Sequence, residues 1–221
     1  MRKFFTHLTG FRSPEAFNPW AQFDPDTDRV KAAPDIRRRM LRHYLQERES
    51  APLLFVAEAL GYQGGSFTGI PMTSERMLLN HTTIDPASIC AHPFRQTSAH
   101  KPKGMAEPTA TIIWKTLTLG QRALHPRQFV LWNAFPWHPI FPNKGRLSNR
   151  PLKTSEQLLG AECLTMLIHR FKFAEIIAVG NHGSQALTRL GVSHYKVRHP
   201  SNGGGSAFAQ QTQDILHRFF P

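Results

Sequence analysis

Short apolar runs alternate along the chain with segments that carry a helical stripe. Leu53–Ala59 (LLFVAEA), Phe129–Phe135 (FVLWNAF) and Glu175–Gly180 (EIIAVG) have strand length, and the first and third are apolar throughout. His194–Pro200 (HYKVRHP) reads as a fourth strand. Between them, Thr109–Leu119 fits either period, and its place between two strands favours helix. Ser155–Phe171 places Leu158, Leu159, Leu164, Leu167 and Ile168 on one helical stripe, and Thr154 with Gln157 matches a capping box at its start. Ser184–Leu190 reads as a short helix ending at Gly191, and Ser206–Phe219 as a last amphipathic helix.

Strands with both faces apolar, separated by helices, predict a parallel sheet covered on both sides. The expected fold is therefore α/β: a three-layer α/β/α sandwich around a central four-stranded parallel sheet. Ligands in such sheets bind beyond the carboxyl ends of the strands. The polar and glycine-rich segments fall there: GYQGGSFTG after the first strand, Asn133 at the end of the second, GNHGS after the third and HPSNGGGS after the fourth. Four loops are thus expected to converge on one edge.

Ahead of this body, residues 1–33 read as an irregular arm in which Phe17, Trp20 and Phe23 seek burial. Asp35 is placed to cap a helix over Ile36–Glu49, which Pro52 ends. Its Arg37, Arg38, Arg39 and Arg42 form either a DNA-facing surface or a solvated face. The expected organisation is one globular unit, with residues 1–50 as an arm and helix packed on a body of residues 51–221.

Composition narrows the partners. Lys and Arg number 27 against 15 Asp and Glu, a net charge of +12, and most of the excess lies beyond residue 50. A basic body favours a polyanion through phosphate neutralisation and counterion release. The two cysteines, Cys90 and Cys163, exclude a disulfide framework and suggest no metal knuckle, which fits a reducing, intracellular setting. The start, MRKFFTHLTGF, has no long apolar segment and no cleavage site of a signal peptide, and no stretch approaches a membrane span.

The candidate chemistry lies in three segments. In AEALGYQGGSFTGIP (Ala57–Pro71), Gly61, Gly64, Gly65 and Gly69 let backbone approach a ligand. Phe67 there either stacks on something flat or plugs the core. The spacing is not that of a Walker loop, because no Lys-Ser or Lys-Thr follows the last glycine. In WNAFPWHP (Trp132–Pro139), followed by NRP (Asn149–Pro151), Asn133 offers a donor and an acceptor together, which suits the edge of a pyrimidine or only closes a strand end. In HPSNGGGS (His199–Ser206), His199 is either a donor to a base oxygen as negative charge develops there or a bystander on a surface loop.

Together, and in this order, these segments resemble the uracil-DNA glycosylase superfamily over about Leu53 to Pro221. AEALG is similar to the GEAPG motif of its family 4 branch, WNAFPWHP with NRP to that branch's NVVKCRPPxNRxP segment, and HPSNGGG to the His-Pro-Ser motif of the superfamily. The resemblance implies a catalytic site of His199, Asn133 and Glu58, with base binding by Phe67, Gly61, Tyr62 and Asn133. Phe67 would stack on the flipped base. Ser201, Asn202, Gly203 and Gly204 would contact DNA. Where the iron–sulfur members have cysteine, this chain has Trp137, and no N-terminal cysteine pair exists, so a thiolate-held cluster is excluded. Ala59 stands where the best-known branch has its water-activating aspartate, and Leu60 where the motif has proline.

The implied activity is removal of a deaminated or damaged base, uracil first, by flipping it from DNA and hydrolysing its N-glycosidic bond, with no cofactor and no metal. Glu58 is the carboxylate of the first motif, and either orients water or caps backbone amides. The expected partner is DNA carrying uracil or another lesion base, met by a monomer in the cytoplasm. The rival reading is a base-binding protein with the same pocket and little or no cleavage.

Overall fold

The computed structural model describes residues 1–219. Four strands form one parallel sheet: β1 (Leu53–Ala59), β2 (Phe129–Phe135), β3 (Glu175–Val179) and β4 (Tyr195–Val197), in the order β2-β1-β3-β4. β1 and β2 are the near-continuous apolar runs, and burial of residues on both faces of each strand explains why they lack alternation. Helices cover both faces, giving a three-layer α/β/α sandwich. The helices named below are α1 (Arg2–Gly10), α2 (Ala33–Gln46), α3 (Pro108–Leu119), α4 (Ala161–Phe171), α5 (Gly180–Arg189) and α6 (Gly205–Phe219). α5 packs along β1, β2 and β3, α4 on β2, and α6 on α3 and β4.

In the β1–β2 ladder Leu53 is opposite Phe129 and Ala57 opposite Asn133. That register brings the carboxyl ends of the two strands level. β3 lies on the other side of β1, with Val56 opposite Ala178. Gly180 then turns the chain straight into α5 at φ 86°, a left-handed conformation suited to glycine. A Cβ there would also press on the His199 side chain at 3.0 Å.

The N-terminal segment is more regular than its sequence suggests. Residues 2–10 form α1, which turns Phe4, Phe5 and Leu8 inward, rather than an irregular stretch. Phe4 lies 5.5 Å from the Trp132 ring, and Phe11 stacks on Trp137 at 3.7 Å. Phe17 and Trp20 are buried, but Phe23 is 37 % exposed, so only two of the three expected anchors enter the core. Ala16–Phe17 also pairs antiparallel with His138–Pro139, tying this segment to the loop after β2.

α2 starts three residues earlier than expected. Pro34 occupies its first turn, where a missing N–H costs nothing, and Asp35 pairs with Arg38 instead of capping. Its arginines are not one uniformly solvated face, although Arg39 and Arg42 stay exposed. Arg37 is fully buried, donating to Asp28 at 2.6 Å and to the Pro19 carbonyl at 2.5 Å. Arg38 donates to the Trp20 carbonyl, and Arg42 lies over the Phe5 ring. The segment over 154–171 is two helices, not one. Thr154–Leu159 stops at Gly160, which packs so closely on the Ala134 carbonyl that a side chain has no room. The expected Thr154–Gln157 box is replaced by the Lys153 backbone N–H donating to Glu156 at 2.9 Å.

Candidate functional site

The strand ends open into a cavity of about 500 Å³ lined by residues from every expected loop. β1 and its glycine loop supply Glu58, Gly61 and Tyr62, β2 supplies Asn133, α5 supplies His182, and the turn after β4 supplies His199 and Ser201. Met72 and Glu107 complete the wall. Asn133 and His199, distant in sequence, therefore share one cavity.

Asn133 is 1 % exposed, and among the described residues neither its Oδ1 nor its Nδ2 has a hydrogen-bond partner. Leaving both ends of a buried carboxamide unpaired costs a few kcal/mol unless something entering the cavity pairs with them. A group presenting one donor and one acceptor side by side satisfies both.

His199 is held in one tautomer. The Ser201 backbone N–H donates to its Nδ1 at 3.1 Å, and the Ser201 hydroxyl lies 2.7 Å from the same nitrogen. Nδ1 is thus an acceptor, and the proton of the neutral ring sits on Nε2. Burial, and then the charge of Arg198, lower the imidazole pKa from its ordinary value. The result is a neutral histidine with one N–H to donate.

Glu58 and His182 form a second polar group, 3.7 Å apart, at a wetter part of the wall: their side chains are 34 % and 50 % exposed. Burial raises the Glu58 pKa, and the charge of His182 opposes that rise. Among the described residues no backbone N–H donates to Glu58.

Glu107 carries no sequence signal beyond its place before Pro108. At the N-cap of α3 its carboxylate makes no cap hydrogen bond. Its Oε2 is buried and has no hydrogen-bond partner among the described residues, and burial pushes its pKa up to about 7. The carboxyl lies against the glycine loop: a Cβ on Gly61 would come within 2.5 Å of Oε1, and one on Gly64 would overlap Oε2.

Four expected site residues, Phe67, Asn202, Gly203 and Gly204, do not line the cavity. Phe67 is 1 % exposed and outside the cavity, with the Arg146 guanidinium 3.9 Å from its ring centroid. Arg146 also donates to the Ser66 carbonyl at 2.5 Å and to Asp28 at 2.5 Å, so the ring is part of a buried clamp and not a surface for a base. Met72, from a left-handed backbone at φ 50°, and Leu60 are apolar side chains that this segment gives to the cavity. Gly204 is buried against the His199 carbonyl and shapes the turn, whereas Asn202 and Gly203 are exposed at its tip. Arg150 reaches the cavity wall but is occupied, donating to both Glu156 oxygens at 2.7 and 2.5 Å.

Cys90 and Cys163 are free and buried, which pushes their thiols up to about 11 and about 12. Among the described residues no helix is long and apolar enough to cross a membrane.

The fold has a solved counterpart. A crystal structure of wild-type SMUG2 from Pedobacter heparinus superposes with a TM-score of 0.60, covering 99% of this chain and 95% of that one at 13% identity. At that identity the likeness establishes a shared fold. No family model matches the sequence, and no curated protein matches it.

Proposed function

We propose that this chain is a DNA N-glycosylase that flips a deaminated base, uracil first, into the cavity and hydrolyses its bond to the sugar. The observation that carries the reading is the pairing, in one cavity, of the unpartnered Asn133 carboxamide with a neutral His199. Asn133 reads an N–H and a neighbouring oxygen of the base. His199 donates from Nε2 to a second oxygen, where negative charge grows as the base departs. The fold shared with SMUG2 and the motif order of the sequence support the same activity.

The leaving base needs its negative charge stabilised, and the sugar, oxocarbenium-like at that stage, needs a water. Glu58 with His182 at the exposed wall is the group assigned to orient that water. Tyr62 and Gly61 border the base, and Ser201, Asn202 and Gly203 meet the DNA backbone near the flipped nucleotide. Flipping costs about a few kcal/mol, least for a mismatched or single-stranded base. No step calls on a cofactor, and the protein acts as a monomer.

The test is single-turnover incubation with single- and double-stranded oligonucleotides containing one uracil, followed by alkali. Strand cleavage at the uracil supports the reading. Uracil-dependent binding without abasic sites would instead favour a base-binding protein, a reading to which Ala59, a residue without a carboxylate at the end of β1, lends weight.

A further inference from the structure

Among the groups lining the cavity, Glu107 is a half-buried acid that the proposed mechanism leaves without a role. Three features set it apart from a structural carboxylate. It occupies the N-cap of α3 yet does not bond the free N–H groups there, the usual reward for an acid at that position. Its Oε2 is buried with no partner. Gly61 and Gly64 leave the space its carboxyl fills, and a side chain on either would displace it. The carboxyl therefore sits at the wall of the cavity that Asn133 also lines, each with unpaired hydrogen-bonding capacity among the described residues.

We infer that Glu107, in its protonated form, is a second base-reading group that donates a hydrogen bond to a carbonyl oxygen of the bound base and so selects oxo bases over amino bases. The inference rests on the glycosylase-type reading of the cavity. Water activation fits Glu58 better, because Glu58 stays partly exposed beside His182 while the Glu107 oxygen is enclosed. The other titratable groups on the cavity wall are Glu58 and Tyr62 from the first loop, His182 of α5, His199, and Arg150, which is bound to Glu156. None of them contributes to the shift at Glu107, whose proton is retained by burial alone. With a midpoint at about 7, the carboxyl is mostly neutral at pH 6 and mostly ionised at pH 8.5. Neutral, it donates to a carbonyl; ionised, it accepts from an amine and repels the oxygen of uracil.

The experiment compares binding of two single-stranded oligonucleotides that differ in one base, uracil or cytosine, at pH 6 and pH 8.5. Both carry a 2′-fluorinated sugar, whose electron withdrawal suppresses cleavage. The wild-type protein is expected to prefer uracil at pH 6 and to lose about tenfold or more of that preference at pH 8.5, each pH unit beyond the midpoint being a tenfold fall in the protonated fraction. Glu107→Gln, permanently neutral and of the same shape, is expected to keep its preference within about twofold across the same range. Three results overturn the inference: no uracil preference in the wild type at pH 6, a wild-type preference that does not change with pH, or the same change in Glu107→Gln. Failure of the glycosylase reading is read separately, as absence of alkali-labile sites in unmodified uracil DNA.

Discussion

The backbone N–H of Ser201 donates to Nδ1 of His199 at 3.1 Å, which leaves Nε2 as the ring nitrogen that carries the proton. Burial and the Arg198 charge keep this ring neutral at pH 7. Nitrogen NMR at pH 7 should therefore show an unprotonated Nδ1 and a protonated Nε2, with a titration midpoint below the ordinary 6.5. His199→Ala should lower single-turnover excision by about 10²-fold or more, as loss of one donor to a developing anion does. Ser201→Ala keeps the backbone donor and should cost far less. An unchanged rate in His199→Ala removes the residue from the chemistry.

Phe67 and Arg146 make a different kind of pair. The guanidinium lies 3.9 Å from the ring centroid and binds Asp28 and the Ser66 carbonyl around it. Phe67→Ala should thus destabilise the protein by about 3–5 kcal/mol, the range for emptying a buried aromatic site. Urea denaturation reads that loss. A stable Phe67→Ala protein with weakened binding of uracil DNA would restore the stacking role.

Asp28 is bonded to two buried arginines, Arg37 and Arg146. Burial works against its ionisation, but the bonds and charges of the two arginines prevail and hold its pKa below the usual 3.8. Its contribution to stability is present above the unfolded value of 3.8 and is lost as pH falls through the lower folded value. Asp28→Asn leaves two buried guanidiniums without their bonded counter-charge and should cost about 3–5 kcal/mol at pH 7. Equal denaturation midpoints for the two proteins at pH 7 would count against this account.

The sheet was legible because β1 and β2 are long apolar runs whose burial on both faces needs no partner information. Asn133 and His199 were legible for a related reason: they end strands, and strand ends in such a sheet converge. Residues whose environment depends on distant side chains were not. Arg37 reads as one of four arginines on a helix, and only the fold brings Asp28 against it. Phe67 sits in the right loop, but Arg146, from a segment far along the chain, draws it away from the cavity. Glu107 looks like a helix cap before a proline, and nothing in its neighbours signals that its carboxyl meets Gly61 and Gly64.

The same Glu107 has a stability signature independent of any ligand. Its carboxyl has an ordinary value of 4.5 and a folded value of about 7. The folded state holds this proton more tightly than the unfolded chain does. Stability should therefore fall as pH rises from 4.5 to about 7, and level off above it. The full difference is on the order of 3 kcal/mol, as an upper bound. Glu107→Gln removes the ionisation and should be the more stable protein at pH 8 by up to that amount, yet close to wild type at pH 4. Urea unfolding at the two pH values measures both differences. A gap of equal size at pH 4 and pH 8 would mean that the carboxyl does not titrate in this range, and that it has found a partner for its charge.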